Sequence, residues 1–527
     1  MRILYNARIN TLNHAQPQVN ALAIDGERIV AIGSDADLLA LARPEDVRED
    51  MQGKTIWPGL IDAHLHLSYY AMNLERIDCE TPTLQECLQR VKERAAITPP
   101  GSWILGNGWN QNLWSEGYGT AQMLDEVAPN HPVYLTAKSW HASWGNSQSL
   151  QLAGIQSATP DPVGGQIQRA ASGQPTGILF ENAMQLIDSI LPELSAKQVA
   201  QSIAEAQPVL WAMGLTGVHD YDGTLCFAAL QLLQAEQRLH LRVLKGIPMD
   251  KLGDALALGL RSGFGNDYLR LGSVKLFADG ALGPRTAAML QPYEGEAQYA
   301  GFPLMDSEQI FEISQRAISG GISVATHAIG DRANHEVIIA YSQLRALEAE
   351  KHLPHLRHRI EHLQLIHPDD LLLLAKADII ASMQPTHATS DMLIVDQHWG
   401  SRSAYAYAWR SAANAGVHLA FGSDAPVESP NPFLGLHAAV TRRRPDGSPS
   451  PQGWHPEQRL TLKEALQGFT TGAAYAAGLE QVQGQLTPNY FADLIVLDQD
   501  PFSLPPQDLH TITPRATMVG GRWVYER

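Results

Sequence analysis

Apolar positions along this chain gather in short runs that end in polar or turn residues. Eight of them recur between residues 55 and 426: "TIWPGLIDAHLHL", "GLTGVHDYD", "LRVLKGIP", "LGSVKLFADG", "GISVATHAIGD", "RHRIEHLQ", "DIIASMQPTH" and "VHLAFGSDAP". Stretches with helical spacing, such as "SEQIFEISQRAISG" and "PDDLLLLAKA", separate several of them. Strand-like runs alternating with helices predict parallel pairing, and eight of them predict a (β/α)8 TIM barrel. A doubly wound open sheet is the competing arrangement.

The two ends of the chain differ from this middle and resemble each other. "ALAIDGERIVAIG" reads as a hairpin turning at Asp25-Gly26, and "TMVGGRWVYER" as another turning at Gly520-Gly521. Residues 1–57 and 481–527 are therefore expected to form one composite β-sandwich, two independent flaps being the alternative. The barrel is expected over 58–480. The segment from about 70 to 200 is too long for one crossover, which predicts an inserted subdomain over the barrel mouth.

Composition narrows the class. The 527 residues include 44% hydrophobic and 18% charged positions, an ordinary globular balance. A formal net charge of −17 argues against nucleic acid or an anionic membrane as partner, since both require a basic face. "MRILYNARINTL" lacks an uninterrupted apolar run and a small-residue cleavage site, so no secretory signal is expected. No window reaches the ~18 apolar residues of a membrane span. Cys79, Cys87 and Cys226 lack C-x-x-C spacing, so neither a disulfide framework nor a zinc ribbon is expected. These features predict a cytoplasmic protein with a small-molecule substrate, no nucleic-acid or membrane partner, and homo-oligomerisation left open.

Candidate chemistry sits at the strand ends, where barrels carry it. "DAHLHL" places His64 and His66 two apart, on one face of a strand. With 20 histidines in the chain, chance alone gives roughly one H-x-H pair, so the pair matters only in context. Later strands supply that context with Lys275, His327, His362 and Asp424. Each has an ordinary alternative: a hydrogen-bonded histidine, a paired lysine, or a helix-capping aspartate. Their recurrence at the same end of several strands favours a metal site.

The ordered series "PGLIDAHLHL", "VKLFADGALGPRTA", "THAIGDRAN", "RIEHLQ" and "FGSDAPVESPNP" resembles the amidohydrolase superfamily, and most of all its family-3 branch, which includes N-substituted formamide deformylase. The likeness extends to "GERIVAIG" and "ADLIVLDQDP" at the ends. It implies a (β/α)8 barrel flanked by a β-sandwich from both termini. Carried over by position, it implies a metal set of His64, His66, Lys275, His327, His362 and Asp424, with one or two divalent ions, Zn2+ first among them. Lys275 is then a carboxylated lysine bridging two ions. A free ammonium has no lone pair, whereas a carbamate offers two oxygens suited to metals about 3.5–4 Å apart.

The implied activity is a metal-dependent hydrolase acting on non-peptide C–N bonds of the amide or N-substituted formamide type. Its nucleophile would be metal-activated hydroxide, with Asp424 as general acid and base. A deaminase or lactonase on the same scaffold, or a non-catalytic barrel relative, are the alternatives. For the substrate side the candidates are Trp109, Trp140 and His141 in "GWNQNLW" and "KSWHASWGNS", where Trp114 and Trp144 also lie, and Asp279 and Arg285 in "FADGALGPR". Subdomain packing and loop anchoring are the competing roles. His219 and Asp220 form a weaker pair, and His352, His355 and His358 are expected to be solvated.

Overall fold

A computed structural model describes residues 1–111, 114–138 and 142–527. The chain divides into two compact units, 1–70 with 196–527, and 71–195.

The larger unit is built on eight parallel strands: β1 (Leu60–Leu65), β2 (Leu215–Asp220), β3 (Arg242–Pro248), β4 (Leu269–Phe277), β5 (Val324–Ala328), β6 (Arg359–His362), β7 (Ile380–Met383) and β8 (Leu419–Phe421). They pair in sequence order, and each of the eight runs recognised in the sequence contributes one. The two ends of the sheet meet just past β8, where the Asp424 amide donates to the His64 carbonyl at 2.7 Å and the His66 amide to that of Ala425 at 2.8 Å. That seam closes the barrel and excludes the doubly wound open sheet.

Both termini add β-sheet to this unit. Thr55–Pro58 pairs antiparallel with Leu494–Leu497, which in turn pairs with Ala516–Val519, so the two chain ends share a six-stranded sheet. A four-stranded sheet, of Arg28–Gly33, Ala21–Asp25, Arg2–Tyr5 and Val47–Asp50, accompanies it. Leu4, Leu22 and Ile24 of the latter pack with Ile9, Ile56, Leu494, Val496 and Met518 of the former. The hairpin turns lie where the sequence puts them, with Gly26, Gly520 and Gly521 at φ 57°, 55° and 74°. The run "TIWPGLIDAHLHL", read as one strand, is two. The chain leaves the six-stranded sheet at Pro58 and enters the barrel at Leu60. Gly59 makes that passage because a Cβ there would lie 2.4 Å from the Thr216 side chain.

The unit at 71–195 has its own six-stranded mixed sheet and its own core. Trp109, Trp114 and Trp144 pack there against one another and are almost wholly buried. The Trp109 indole donates to the Leu135 carbonyl at 2.9 Å, and that of Trp114 to the Thr81 carbonyl at 3.1 Å. Among the described residues, no helix is long and apolar enough to cross a membrane.

One buried ion pair ties β3 to the β-sandwich. Arg242 Nε and Nη2 reach the two Asp493 oxygens at 2.6 and 2.9 Å, and its guanidinium lies over the Phe491 ring. Asp493→Ala should strand a buried guanidinium and cost about 3–5 kcal/mol. Chemical denaturation read by tryptophan fluorescence should show a lowered midpoint, whereas an unchanged midpoint would deny the pair a structural role.

Candidate active site

The histidines and Asp424 converge at the C-terminal end of the barrel. Alternation along β1 turns His64 inward, and the chain beyond its end carries His66. His64 Nε2 and His66 Nε2 each lie 3.4 Å from the same oxygen, Asp424 Oδ1. The His64 and His362 rings are 5.0 Å apart, and those of His327 and His362 are 4.6 Å apart. His64, His362 and Asp424 each offer a ligand atom, all within 4.8 Å of one another. The backbone is strained here. His362 and Asp424 hold φ of 77° and 62°, a region that non-glycine residues seldom adopt and that clusters at functional sites.

Each imidazole uses one ring nitrogen to hold an outer partner. His64 Nδ1 meets Glu361 Oε2 at 2.5 Å, and His66 Nδ1 meets Asp222 Oδ1 at 2.9 Å. His362 Nδ1 meets Gln384 Oε1 at 2.9 Å, and His327 Nε2 meets the Gly280 carbonyl at 2.8 Å. Every one of these partners is an acceptor, so each ring turns an N–H outward; the neutral His64, His327 and His362 keep a lone pair on the other nitrogen, and His66 gains one when it gives up its second proton. That is the tautomer a metal requires.

The spacing fits a metal as well. With bonds of about 2.1 Å, a tetrahedral zinc site separates its ligand atoms by about 3.4 Å. This matches Asp424 Oδ1 to His64 Nε2 and to His66 Nε2.

Charges in the site are set by burial and by each other. Burial, reinforced by Lys275, lowers the His64 and His327 imidazoles to about 4, so both are neutral at pH 7. Burial acts downward on His66 too, but Asp222 and Asp424 outweigh it and raise its pKa to about 10. Burial would raise Asp424, yet the surrounding histidines hold it well below the usual carboxylate range. Burial brings Lys275 down to about 8 against the pull of Glu361 and Asp424. Its ammonium lies 4.8 Å from the Tyr221 ring centre and 5.3 Å from that of Phe277, with no ion pair among the described residues.

Other sequence candidates occupy different places. Asp279 is buried and accepts from the amides of Ala288, Ile329 and Gly330, and so fastens the loops that follow β4 and β5. Arg285 is part-exposed and pairs with Glu296 at 2.7 Å. Trp109 belongs to the core of the inserted unit. Trp140 and His141 lie outside the described residues. His219 accepts from Arg359 Nη1 at 2.9 Å, and Asp220 pairs with Lys245 at 2.9 Å. His352 and His355 are exposed, but His358 is not. It is fully buried, with Nε2 2.8 Å from Glu348 and Nδ1 accepting from the Val324 amide, because its strand lies inside the fold.

Four residues escaped the sequence reading: Asp222, Glu361, Gln384 and His387. Each stands within a few positions of a strand end already singled out. The signal for Glu361 was a carboxylate flanking a histidine in "RIEH", and that for Asp222 a second aspartate closing the strand-end run "GVHDYD".

The model of the amidohydrolase family matches residues 49–525. The chain belongs to that family. Over 99% of its length it is 31% identical to the Arabidopsis thaliana protein LONG AFTER FAR-RED 3, covering 91% of that protein. It is 30% identical over its whole length to N-substituted formamide deformylase of Arthrobacter pascens, covering 98% of it. The crystal structure of an uncharacterized metal-dependent hydrolase from Pyrococcus furiosus superposes with a TM-score of 0.79 at 29% identity, over 95% of this chain and 100% of that one. In this amidohydrolase, then, the family's barrel carries the converging histidines and Asp424 at its C-terminal end.

The His66 charge makes a test. A pKa raised to about 10 from the ordinary 6.5 gives stability that is complete below 6.5 and is lost as pH rises through 10. After chelation, His66→Gln should therefore be less stable than wild type near pH 6, and the gap should shrink as pH approaches 10. A gap that widened with pH, measured by urea unfolding, would contradict the pairing.

Proposed function

We propose that this amidohydrolase is a metal-dependent hydrolase that cleaves the C–N bond of a small amide, with N-substituted formamides as the first substrate class. The observation that carries the reading is the tautomer pattern: four histidines, each pinned through one nitrogen by an acceptor, present the other toward the site. The likeness to N-substituted formamide deformylase and to a metal-dependent hydrolase supports it.

His64, His66, His327, His362 and Asp424 are the proposed holders of one or two divalent ions, Zn2+ first among them. Such an ion supplies Lewis acidity toward a carbonyl and acidity to water. Asp424 takes the proton of the attacking water and returns it to the leaving nitrogen, its carboxylate being ionised at neutral pH. Lys275, its pKa lowered to about 8, keeps a usable fraction of neutral amine near pH 7, which carbamate formation with CO2 requires. The absence of an ion pair at its ammonium leaves that chemistry unobstructed among the described residues.

The substituent side is apolar. Phe277 is 46% exposed and its ring lies 5.4 Å from that of His327, while Tyr69 is 59% exposed and lies 6.2 Å from that of His66. Exposed aromatic rings beside buried polar groups suit a small molecule with an apolar N-substituent.

A purified sample should contain bound divalent metal and hydrolyse N-substituted formamides, and chelation should abolish the activity. Turnover of lactones in place of amides would redirect the bond assignment, and full activity after exhaustive chelation would end the reading. Asp424→Asn should lower kcat by about 10^2–10^4-fold. Lys275→Ala should lose activity and regain part of it with short carboxylic acids, whereas an active, metal-replete Ala variant would refute the carbamate. Phe277→Ala should raise KM for formanilide by about tenfold more than for N-methylformamide, since a ring has more apolar surface to lose. Equal effects on the two substrates would remove Phe277 from the substituent pocket.

A further inference from the structure

Several buried polar atoms around the start of the helix that follows β7 have no hydrogen-bond partner among the described residues, Thr386 Oγ1, Gln384 Nε2 and His387 Nε2 among them, and His387 is the imidazole of this group that lies beside Asp424. His387 stands on the first turn of the helix Pro385–Trp399, which follows β7 at the chemical end of the barrel. Its side chain is 8% exposed, and Nε2 is buried without a hydrogen bond among the described residues. A buried N–H in a native fold has a partner as a rule, and an exception calls for an explanation. The His387 ring lies parallel to that of His362, at 5° and 6.1 Å, so the two stack and do not bond. The Gln364 side-chain amide nitrogen is 3.5 Å from His387 Nδ1, and with that donor facing Nδ1 the ring proton belongs on Nε2. His387 Nε2 lies 3.9 Å from Asp424 Oδ2, too far for a direct hydrogen bond.

We propose that His387 is a catalytic residue whose Nε2–H donates to the scissile carbonyl oxygen as negative charge develops on it. This rests on the hydrolase reading above and adds a specific oxyanion donor to it. A substrate atom beside Asp424 comes within reach of both side chains, so one handles the proton while the other stabilises the oxygen. No bond to His387 forms or breaks and no proton leaves it. A donor fixed by stacking and burial needs no reorganisation as charge appears.

The test uses metal-loaded wild type, His387→Ala and His387→Gln, with formanilide as substrate and a formanilide-derived phosphonamidate as transition-state mimic. His387→Ala should lower kcat by about 100–1000-fold, with KM changed by less than about threefold and metal per chain unchanged. Phosphonamidate affinity, read by calorimetry, should fall alongside kcat. His387→Gln, which keeps an N–H at similar reach, should recover part of both. A His387→Ala enzyme within about threefold of wild-type kcat would overturn the proposal, and so would loss of bound metal or undiminished phosphonamidate affinity. If wild type hydrolyses neither amides nor lactones, the hydrolase reading itself fails and this inference with it. An active wild type beside an equally active Ala variant defeats the inference alone.

Discussion

A buried charge chain, Arg359–Glu361–His64, holds the centre of this barrel. Glu361 cannot stay ionised there by itself, because burial drives a carboxylate toward its neutral form. Arg359 reverses that, with Nε 2.5 Å from Glu361 Oε1, and together with His64 keeps the carboxyl well below its ordinary range. The guanidinium is consumed by the same task, donating also to the Ala63 carbonyl, the Ser382 hydroxyl and His219. One arginine thus links β1, β2, β6 and β7. The ionised Glu361 then accepts the hydrogen bond from His64 Nδ1–H, which directs the ring's lone pair to the site. Removing either member of such a pair leaves a bare charge in the core, so fold and chemistry fail together.

The barrel seam works in the same way. Asp62 accepts from the amides of His64 and Ser423 and from the Ser423 hydroxyl, so it fastens β1 to the turn after β8. Asp424 sits in that turn with its amide bonded to His64. Closing the barrel and placing Asp424 beside the two histidines are one event. The positive φ at Asp424 and His362 is held by the backbone bonds beside it, the Asp424 amide to the His64 carbonyl and the Leu363 amide to the Ala328 carbonyl.

The sequence made the architecture legible because barrel strands are buried on both faces. Each therefore reads as an apolar run, and each carries its chemistry where the run stops. His64, His66, His327, His362 and Asp424 were visible for that reason. Their outer partners were less so: nothing in "RIEH" says that Glu361 reaches His64, 297 positions away. The tryptophans left two roles open, a substrate wall and subdomain packing. A cluster of large aromatics in sequence reads equally as a pocket wall or a core, and Trp109, Trp114 and Trp144 fill the core of an inserted unit that needs one of its own. His358 likewise looked solvated in a histidine-rich stretch, and a buried Glu348 was not visible beside it. His387 ended a run already recognised as a strand, and its proposed role depends on Asp424, in the turn after β8.

Whether these side chains hold a metal ion can be read from anomalous diffraction by crystals of the purified protein, recorded above and below the zinc absorption edge. A peak is expected about 2.0–2.2 Å from His64, His66 and Asp424, present only above the edge or matched at the edge of another divalent metal. Crystals of fully active protein with no anomalous peak among these residues would contradict a metal site there.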